Sequence, residues 1–274
     1  MLQHPTLRKL YELNLAGMYT GLQEQLNNPA YAELSFEERL GLLVDREATE
    51  RQNRRMAAKL KKARLRQSAA IEDVDFRHPR GLDRSVLLSL ATCHWVRSRQ
   101  NCLITGPTGV GKTYLACALA QKACREGCTA YYARTPRLFQ ELTIARADGT
   151  FARRLAALAR LDLLLLDDWG VAPLSDDHRR DLLEILDDRY DRRSTLITSQ
   201  LPVERWHDYI ADPTLADAIL DRLVHNAHRI ALKGESMRKE RGLLGMNRTT
   251  ASDDTTTEPT SPTPAEPSPD ASIL

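Results

Sequence analysis

Gly106-Pro107-Thr108-Gly109-Val110-Gly111-Lys112-Thr113 satisfies the pattern G-x-x-x-x-G-K-[ST] at every defined position. These residue types in this order wrap a polyphosphate. The glycines let backbone N–H groups close around a β-phosphate without Cβ clashes. Lys112 reaches β- and γ-phosphates, and the Thr113 hydroxyl is a ligand for Mg²⁺. A second constellation lies further along, where Leu163-Leu164-Leu165-Leu166 runs into Asp167-Asp168. Asp167 fits the acid that holds Mg²⁺ through water beside Thr113, and Asp168 fits the base that orients and polarises an attacking water. At least one strand, Cys128 to Ala133, intervenes in the chain between loop and acids. That separation suits the ATPase branch of phosphate-loop proteins.

Such groups need a scaffold, and the flanks supply one. Asn101 to Thr105 is a short apolar run before the loop, and Tyr114 to Ala120 is helix-prone after it. The phosphate loop therefore joins a strand to a helix N-terminus, where N–H groups point at an anion. Alternation continues beyond it: a helix ending near Gly127, a strand from Cys128 to Ala133, and a helix opened by Thr135 as N-cap with Pro136 in its first turn and broken at Asp148-Gly149. A helix from Phe151 to Arg160, a strand from Asp162 to Asp167 and a helix from Asp176 to Tyr190 follow. Ser194 to Ser199 is a fourth strand, and His228 to Leu232 a fifth. This order calls for an α/β fold with a five-stranded parallel sheet covered on both faces.

The first eighty residues read as helical. Leu7, Leu10, Leu13, Leu22 and Leu26 keep helical spacing, and Ser35-Phe36-Glu37-Glu38 is a capping box that starts a helix near Phe36. That helix presents Phe36, Leu40, Leu43 and Val44 as an apolar face. Between Arg46 and Arg66 it carries nine bases against two acids. Arg51, Arg54, Arg55, Lys59, Lys61, Lys62, Arg64 and Arg66 are candidate contacts for a phosphate backbone, with a solvated helix face as the competing reading. Ile71 to Pro79 reads as an extended connector, and Asp83 as the N-cap of a helix running through Leu90 towards Trp95.

The domain boundaries expected are 1–80 for a small all-helical N-terminal domain, 81–248 for the nucleotide core and 249–274 for a disordered tail. The tail has five acids, five prolines and no base. With a total of +2 over 274 residues, residues 1–248 carry +7, which permits nucleic-acid binding. Five cysteines in apolar or helical settings read as free buried thiols. No run approaches the roughly 18 apolar residues of a membrane span and no signal-peptide pattern opens the chain, so a cytoplasmic protein without a membrane partner is expected.

Taken together, Gly106 to Thr113, Leu163 to Gly170, Ser194 to Pro202, Ile219 to Ile230, Lys233 to Lys239 and the leucine-rich basic N-terminal region resemble the IstB-type transposition helper ATPases. Those are relatives of the DnaC helicase loader and of DnaA within the AAA+ class. The resemblance spans residues 1 to about 245. It implies an AAA+ core that binds and hydrolyses ATP with Mg²⁺, assembles on duplex DNA as a homo-oligomer with ATP at subunit interfaces, and works with a transposase encoded alongside. It further implies that Gln200, with Thr198 or Ser199 beside it, senses the γ-phosphate, and that Arg222 is an arginine finger reaching a neighbour's γ-phosphate. A surface ion pair of Arg222 with Asp221 or Asp217 is the plainer alternative. Many AAA+ proteins have Asp-Glu where this chain has Asp167-Asp168, so slow hydrolysis is expected. A helical lid and a second-sensor arginine are not. A helicase loader binding its partner through the first eighty residues is the nearest competing function; a small-molecule kinase is a more distant one, opposed by the tandem acids.

Overall fold

Four consecutive leucines offer no polar side to water, and the chain surrounds Leu163 to Leu166 with a strand on either edge and helices over both faces. The computed structural model describes residues 5–237. The expected acidic tail, and Arg238 and Lys239 of the last basic block, lie outside those residues. Helices α1 (Pro5–Glu12), α2 (Ala16–Asn27) and α3 (Phe36–Ala63) lead to α4 (Arg84–Ala91) and α5 (His94–Arg97). The alternating part is β1 (Asn101–Thr105), α6 (Lys112–Arg125), β2 (Ala130–Arg134), α7 (Thr135–Ala147), α8 (Phe151–Ala159), β3 (Leu163–Trp169) and α9 (Asp176–Arg189). It closes with β4 (Ser194–Ser199), α10 (Trp206–Ile210), α11 (Pro213–Val224) and β5 (Ala227–Ala231).

All five strands are parallel, in the order β2-β3-β4-β1-β5. In space, β4 separates the phosphate-loop strand from the strand of acids, whereas β2, which separates them along the chain, lies at the far edge. Side chains alternate between two cores. Cys102, Ile104, Leu163, Leu165 and Leu196 face the layer that includes α4 and α6. Leu103, Leu164, Leu166 and Ile197 face the layer of α7 to α11. Ala63, Ala69, Ile71 and Val74 belong to the first of these cores, so its apolar interior continues across position 80.

Several boundaries differ from the sequence expectation, each for a local reason. The Cys128 N–H closes the end of α6 on the Ala123 carbonyl (2.9 Å), and Thr129 is held by the Asp162 carboxylate through its N–H and its hydroxyl (2.8 Å each). Strands β2 and β3 therefore start later than expected. Thr135 is not an N-cap: it is the first helical residue, and its hydroxyl donates to the Asp167 carbonyl (3.0 Å). The helix from Asp83 stops before Trp95, because Cys93 adopts φ 57°. Of the four residues expected as the apolar face of α3, Leu43 alone is buried; Phe36, Leu40 and Val44 are exposed.

Helix α2 crosses α3 in close contact. A Cβ on Gly17 would stand 2.6 Å from the Glu47 Cα, so only glycine fits there. Buried Glu47 accepts the Gly17 and Met18 N–H groups (2.8 and 3.2 Å) and pairs with Arg51 (2.7 Å), serving as the missing cap of α2 from the neighbouring helix. The Arg51 hydrogen bond, with the two amides against the effect of burial, holds the Glu47 carboxyl below the ordinary glutamate range. Its stabilising contribution is thus present above the unfolded-state pKa and lost as pH falls through the lower folded value. Glu47→Gln should cost about 1 kcal/mol at neutral pH. Thermal melts should show the gap between variant and wild type closing below about pH 4.

Candidate nucleotide site

The phosphate loop is fixed from three directions. The Gly106 N–H donates to the Ser199 carbonyl at the end of β4 (3.2 Å). A Cβ on Gly106, whose φ is 145°, would meet the Leu232 carbonyl oxygen at 2.4 Å. Behind the loop, the buried Arg80 guanidinium donates to the Val110 carbonyl (3.1 Å) and the Asp75 carbonyl (2.9 Å). Gly111, at φ 93°, turns the chain into α6, placing Lys112 and Thr113 in its first turn. The Lys112 ammonium folds over the loop, donating to the carbonyls of Gly106 (2.7 Å) and Pro107 (2.8 Å). Pro107, Thr108 and Gly109 form the outer arc between them.

Asp167 sits opposite, fully buried at the end of β3, and its two oxygens receive donors from four parts of the chain. Thr113 donates to Oδ1 at 2.9 Å, and the Thr198 hydroxyl from β4 donates to the same oxygen. Oδ2 accepts the Tyr132 hydroxyl from β2 at 2.7 Å and Arg66 Nη1 at 3.4 Å. Burial, reinforced by the bond to Asp167, pushes the Tyr132 phenol far above its ordinary pKa, so it remains a donor. Asp168 accepts Arg134 Nε at 2.8 Å and lies 3.8 Å from Arg66.

Adjacent residues of a regular strand point to opposite faces. Here the register slips between Leu166 and Trp169, and Asp168 takes φ 60°. This one-residue bulge breaks the alternation, which is how Arg66 comes within 4 Å of both carboxylates. The Asp168 N–H is received by the Thr198 hydroxyl (3.3 Å), so the same threonine bonds both acids.

The oxygens of Thr113 and Asp167 form a hard, small donor set beside the phosphate loop. No group of three or more His, Cys, Asp or Glu side chains able to hold a metal occurs among the described residues. A pair of this kind fits Mg²⁺, which takes one or two protein oxygens and completes its shell with phosphate and water.

The remaining candidates are more dispersed. Gln200 is exposed directly after β4, at the loop end of the sheet. Arg222 lies at the opposite end: its Nε bonds Asp187 on α9, and its Nη1 donates to the Ala218 carbonyl (2.7 Å). The pairing with Asp221 or Asp217 does not occur; those acids face His225 (3.4 Å) and His207 (3.5 Å). The basic run also divides. Arg51 and Arg54 pair along the helix with Glu47 and Glu50, and Lys59 donates to the Gly127 carbonyl. Arg55, Lys61, Lys62 and Arg64 are exposed, whereas Arg66 has turned into the nucleotide site. Sequence reasoning missed Tyr132, Arg134 and Arg80 as site residues. Nothing marks them until β2 is known to lie beside β3, with Arg134 in register with Asp167.

A parallel sheet ordered β2-β3-β4-β1-β5, with a phosphate loop after β1 and tandem acids at the tip of β3, defines the AAA+ form of the phosphate-loop fold. A crystal structure of DnaI is similar at 25% identity and a TM-score of 0.53, over 61% of this chain and 92% of that one. AMPPCP-bound DnaA from Aquifex aeolicus shares the fold at 16% identity and a TM-score of 0.51, over 67% of this chain and 57% of that one. Residues 8–244 match the IstB-like ATP binding protein family, and the chain belongs to it. The putative insertion sequence ATP-binding protein y4pL of Sinorhizobium fredii is 54% identical over 239 residues, covering 87% of this chain and 98% of the relative. The putative ATP-binding protein of insertion sequence IS21 from Pseudomonas aeruginosa is 33% identical over 249 residues, covering 89% and 94%.

The positive φ of Asp168 sets up a stability test. Asp168→Gly and Asp168→Ala both remove the carboxylate, but only glycine accepts φ 60° without strain. The alanine variant should be less stable than the glycine variant by about 1 kcal/mol in denaturant unfolding. Equal stability would mean that the bulge relaxes once the carboxylate is gone.

Proposed function

We propose that this chain is an ATPase that assembles on target duplex DNA and serves a transposase encoded beside it. The observation that carries the chemistry is the meeting of Thr113 and Asp167 at 2.9 Å with Asp168 adjacent. The transposition reading draws on relatives named for insertion sequences that align over nearly their whole length. A cytoplasmic setting belongs to the same proposal, and no helix among the described residues is long and apolar enough to cross a membrane.

Lys112 trades its loop carbonyls for the β- and γ-phosphates of ATP, and the loop amides wrap the β-phosphate. Thr113 and Asp167 would hold Mg²⁺, which when bound neutralises phosphate charge. Asp168 orients a water and takes its proton as the water oxygen attacks the γ-phosphorus. The bond from phosphorus to the bridging oxygen breaks, and ADP leaves with the electron pair. Gln200, at the tip of β4, reads whether the γ-phosphate is present.

Arg222 serves a neighbouring subunit. Asn101 Nδ2 at the start of β1 bonds the Arg222 carbonyl (2.9 Å), while the phosphate loop begins after the other end of the strand. Five residues of strand separate the two by about 16 Å, so Arg222 is out of reach of its own chain's phosphates. A guanidinium there completes a site only across a subunit interface, which makes the active form a homo-oligomer. Duplex DNA engages the exposed cations of α3 through phosphate charge, with strong salt dependence.

Three outcomes test this reading. Duplex should raise the ATPase rate, and ATP should enlarge the particle in light scattering where ADP does not; no change in either quantity would defeat the DNA-assembly reading. Lys112→Ala should abolish nucleotide-dependent assembly, whereas Asp168→Ala should bind ATP and stay on DNA; equal loss of ATP affinity in both would remove the division of roles. Asp168→Ala and Arg222→Ala should each fail to turn over, yet a mixture should recover activity at about a quarter of the interfaces. A mixture as inactive as its components would remove Arg222 from the neighbour's site.

A further inference from the structure

The end of the basic helix and the tandem acids of β3 meet at one side chain. Arg64, at φ 49°, closes α3, and the chain then crosses to the nucleotide site within two residues. Its backbone is anchored on the way. Ala63 and Ala69 are buried in the core, and Leu65 packs against it. Burial raises the pKa of the Cys117 thiol on α6, and hydrogen bonding from the Gln67 and Arg66 backbone opposes that shift. The Arg66 side chain is less confined, at 43% exposure. From this anchored backbone it lies 3.4 Å from Asp167 Oδ2 and 3.8 Å from Asp168 Oδ2. Arg134, by contrast, pairs with Asp168.

Arg66 therefore places a positive charge against the carboxylate that, with Thr113, forms the divalent-cation donor set. Two cations on one carboxylate repel each other, and away from bulk water that repulsion is substantial. The guanidinium has another acceptor within reach. Arg55, Lys61, Lys62 and Arg64 are exposed just before it and make no ion pair among the described residues. A phosphodiester backbone drawn to them offers Arg66 the same planar two-oxygen recognition that a carboxylate offers.

We infer that Arg66 is a positioning residue for ATP hydrolysis: it holds the Asp167–Asp168 carboxylates when α3 is free and yields them when a nucleic-acid backbone occupies the end of α3. Divalent-cation affinity at the nucleotide site is then set by DNA. The inference rests on the proposed metal role of Asp167 and the proposed DNA contact of α3, and its two arms separate them.

The test titrates the full chain with Mn²⁺, read by electron paramagnetic resonance, at a fixed concentration of a non-hydrolysable ATP analogue. Arg66→Ala should bind Mn²⁺ about tenfold more tightly than wild type in the absence of DNA. A duplex oligonucleotide should tighten Mn²⁺ binding to wild type by a similar factor and leave Arg66→Ala unchanged. Arg66→Lys, which keeps charge but loses the planar fork, should fall between them. Duplex affinity, followed by fluorescence anisotropy, should weaken in Arg66→Ala by no more than the loss of one phosphate contact, since four neighbouring cations remain. Arg66→Gln replaces the alanine variant if thermal melts show the latter unfolded. Unchanged or weaker Mn²⁺ binding without DNA overturns the competition, and a full duplex effect in Arg66→Ala overturns the coupling. If anisotropy shows no duplex binding to wild type, the α3 contact and the coupling fall, and the DNA-free arm still decides the competition.

Discussion

The buried carboxylate of Asp167 is the constraint around which the loop end of the sheet is arranged. A carboxylate removed from water is tolerated only when its lone pairs are met, and each donor here comes from a different part of the chain. Thr113 brings the first turn of α6, Thr198 brings β4, Tyr132 brings β2, and Arg66 brings the segment after α3. Aligning those four groups within hydrogen-bond reach of two oxygens leaves little freedom in the strand order. It also explains why a tyrosine with an elevated pKa is useful at that point: its hydroxyl remains a donor through the range in which an ordinary tyrosine ionises.

What was legible in the sequence was what is contiguous in it. The strand Asn101–Thr105, the phosphate loop and the strand Ser194–Ser199 were readable because a run of neighbours carries the whole signal. The capping box at Ser35 was legible for the same reason, and both of its hydrogen bonds are present (2.7 and 3.2 Å). Contacts between distant segments were not. Arg66 looked like one more cation of a basic helix until the αL residue before it turned the chain towards β3. Arg134 carries no mark of its own and matters only because β2 lies in register with β3. The bulge at Asp168 had no glycine to announce it, since aspartate itself tolerates the left-handed region better than most residues. The plainer alternative for Arg222 paired it with acids near it in sequence, whereas its partner Asp187 lies on another helix.

The N-terminal helices show how a small change of context redirects a residue. Glu47 belongs by sequence to a charged helix face, yet the close approach of α2 at Gly17 converts it into the cap of another helix and takes Arg51 with it. Phe36, Leu40 and Val44 of the same helix remain exposed. Charge and apolarity along this one helix are thus divided among packing, capping and solvent, and composition alone does not reveal the division.

Strand β1 joins the two ends of the sheet in another sense. All five of its residues are buried. Hydrogen bonds from both neighbouring strands hold them, and Asn101 clamps the Arg222 and Leu223 carbonyls while its Oδ1 receives the Thr195 N–H (2.9 Å). Such a strand behaves as a stiff rod with a phosphate loop mounted on one tip and a guanidinium-bearing helix end on the other. It has no joint at which to absorb movement, so any tilt imposed at the loop is delivered to the far tip as a displacement of the same rigid body.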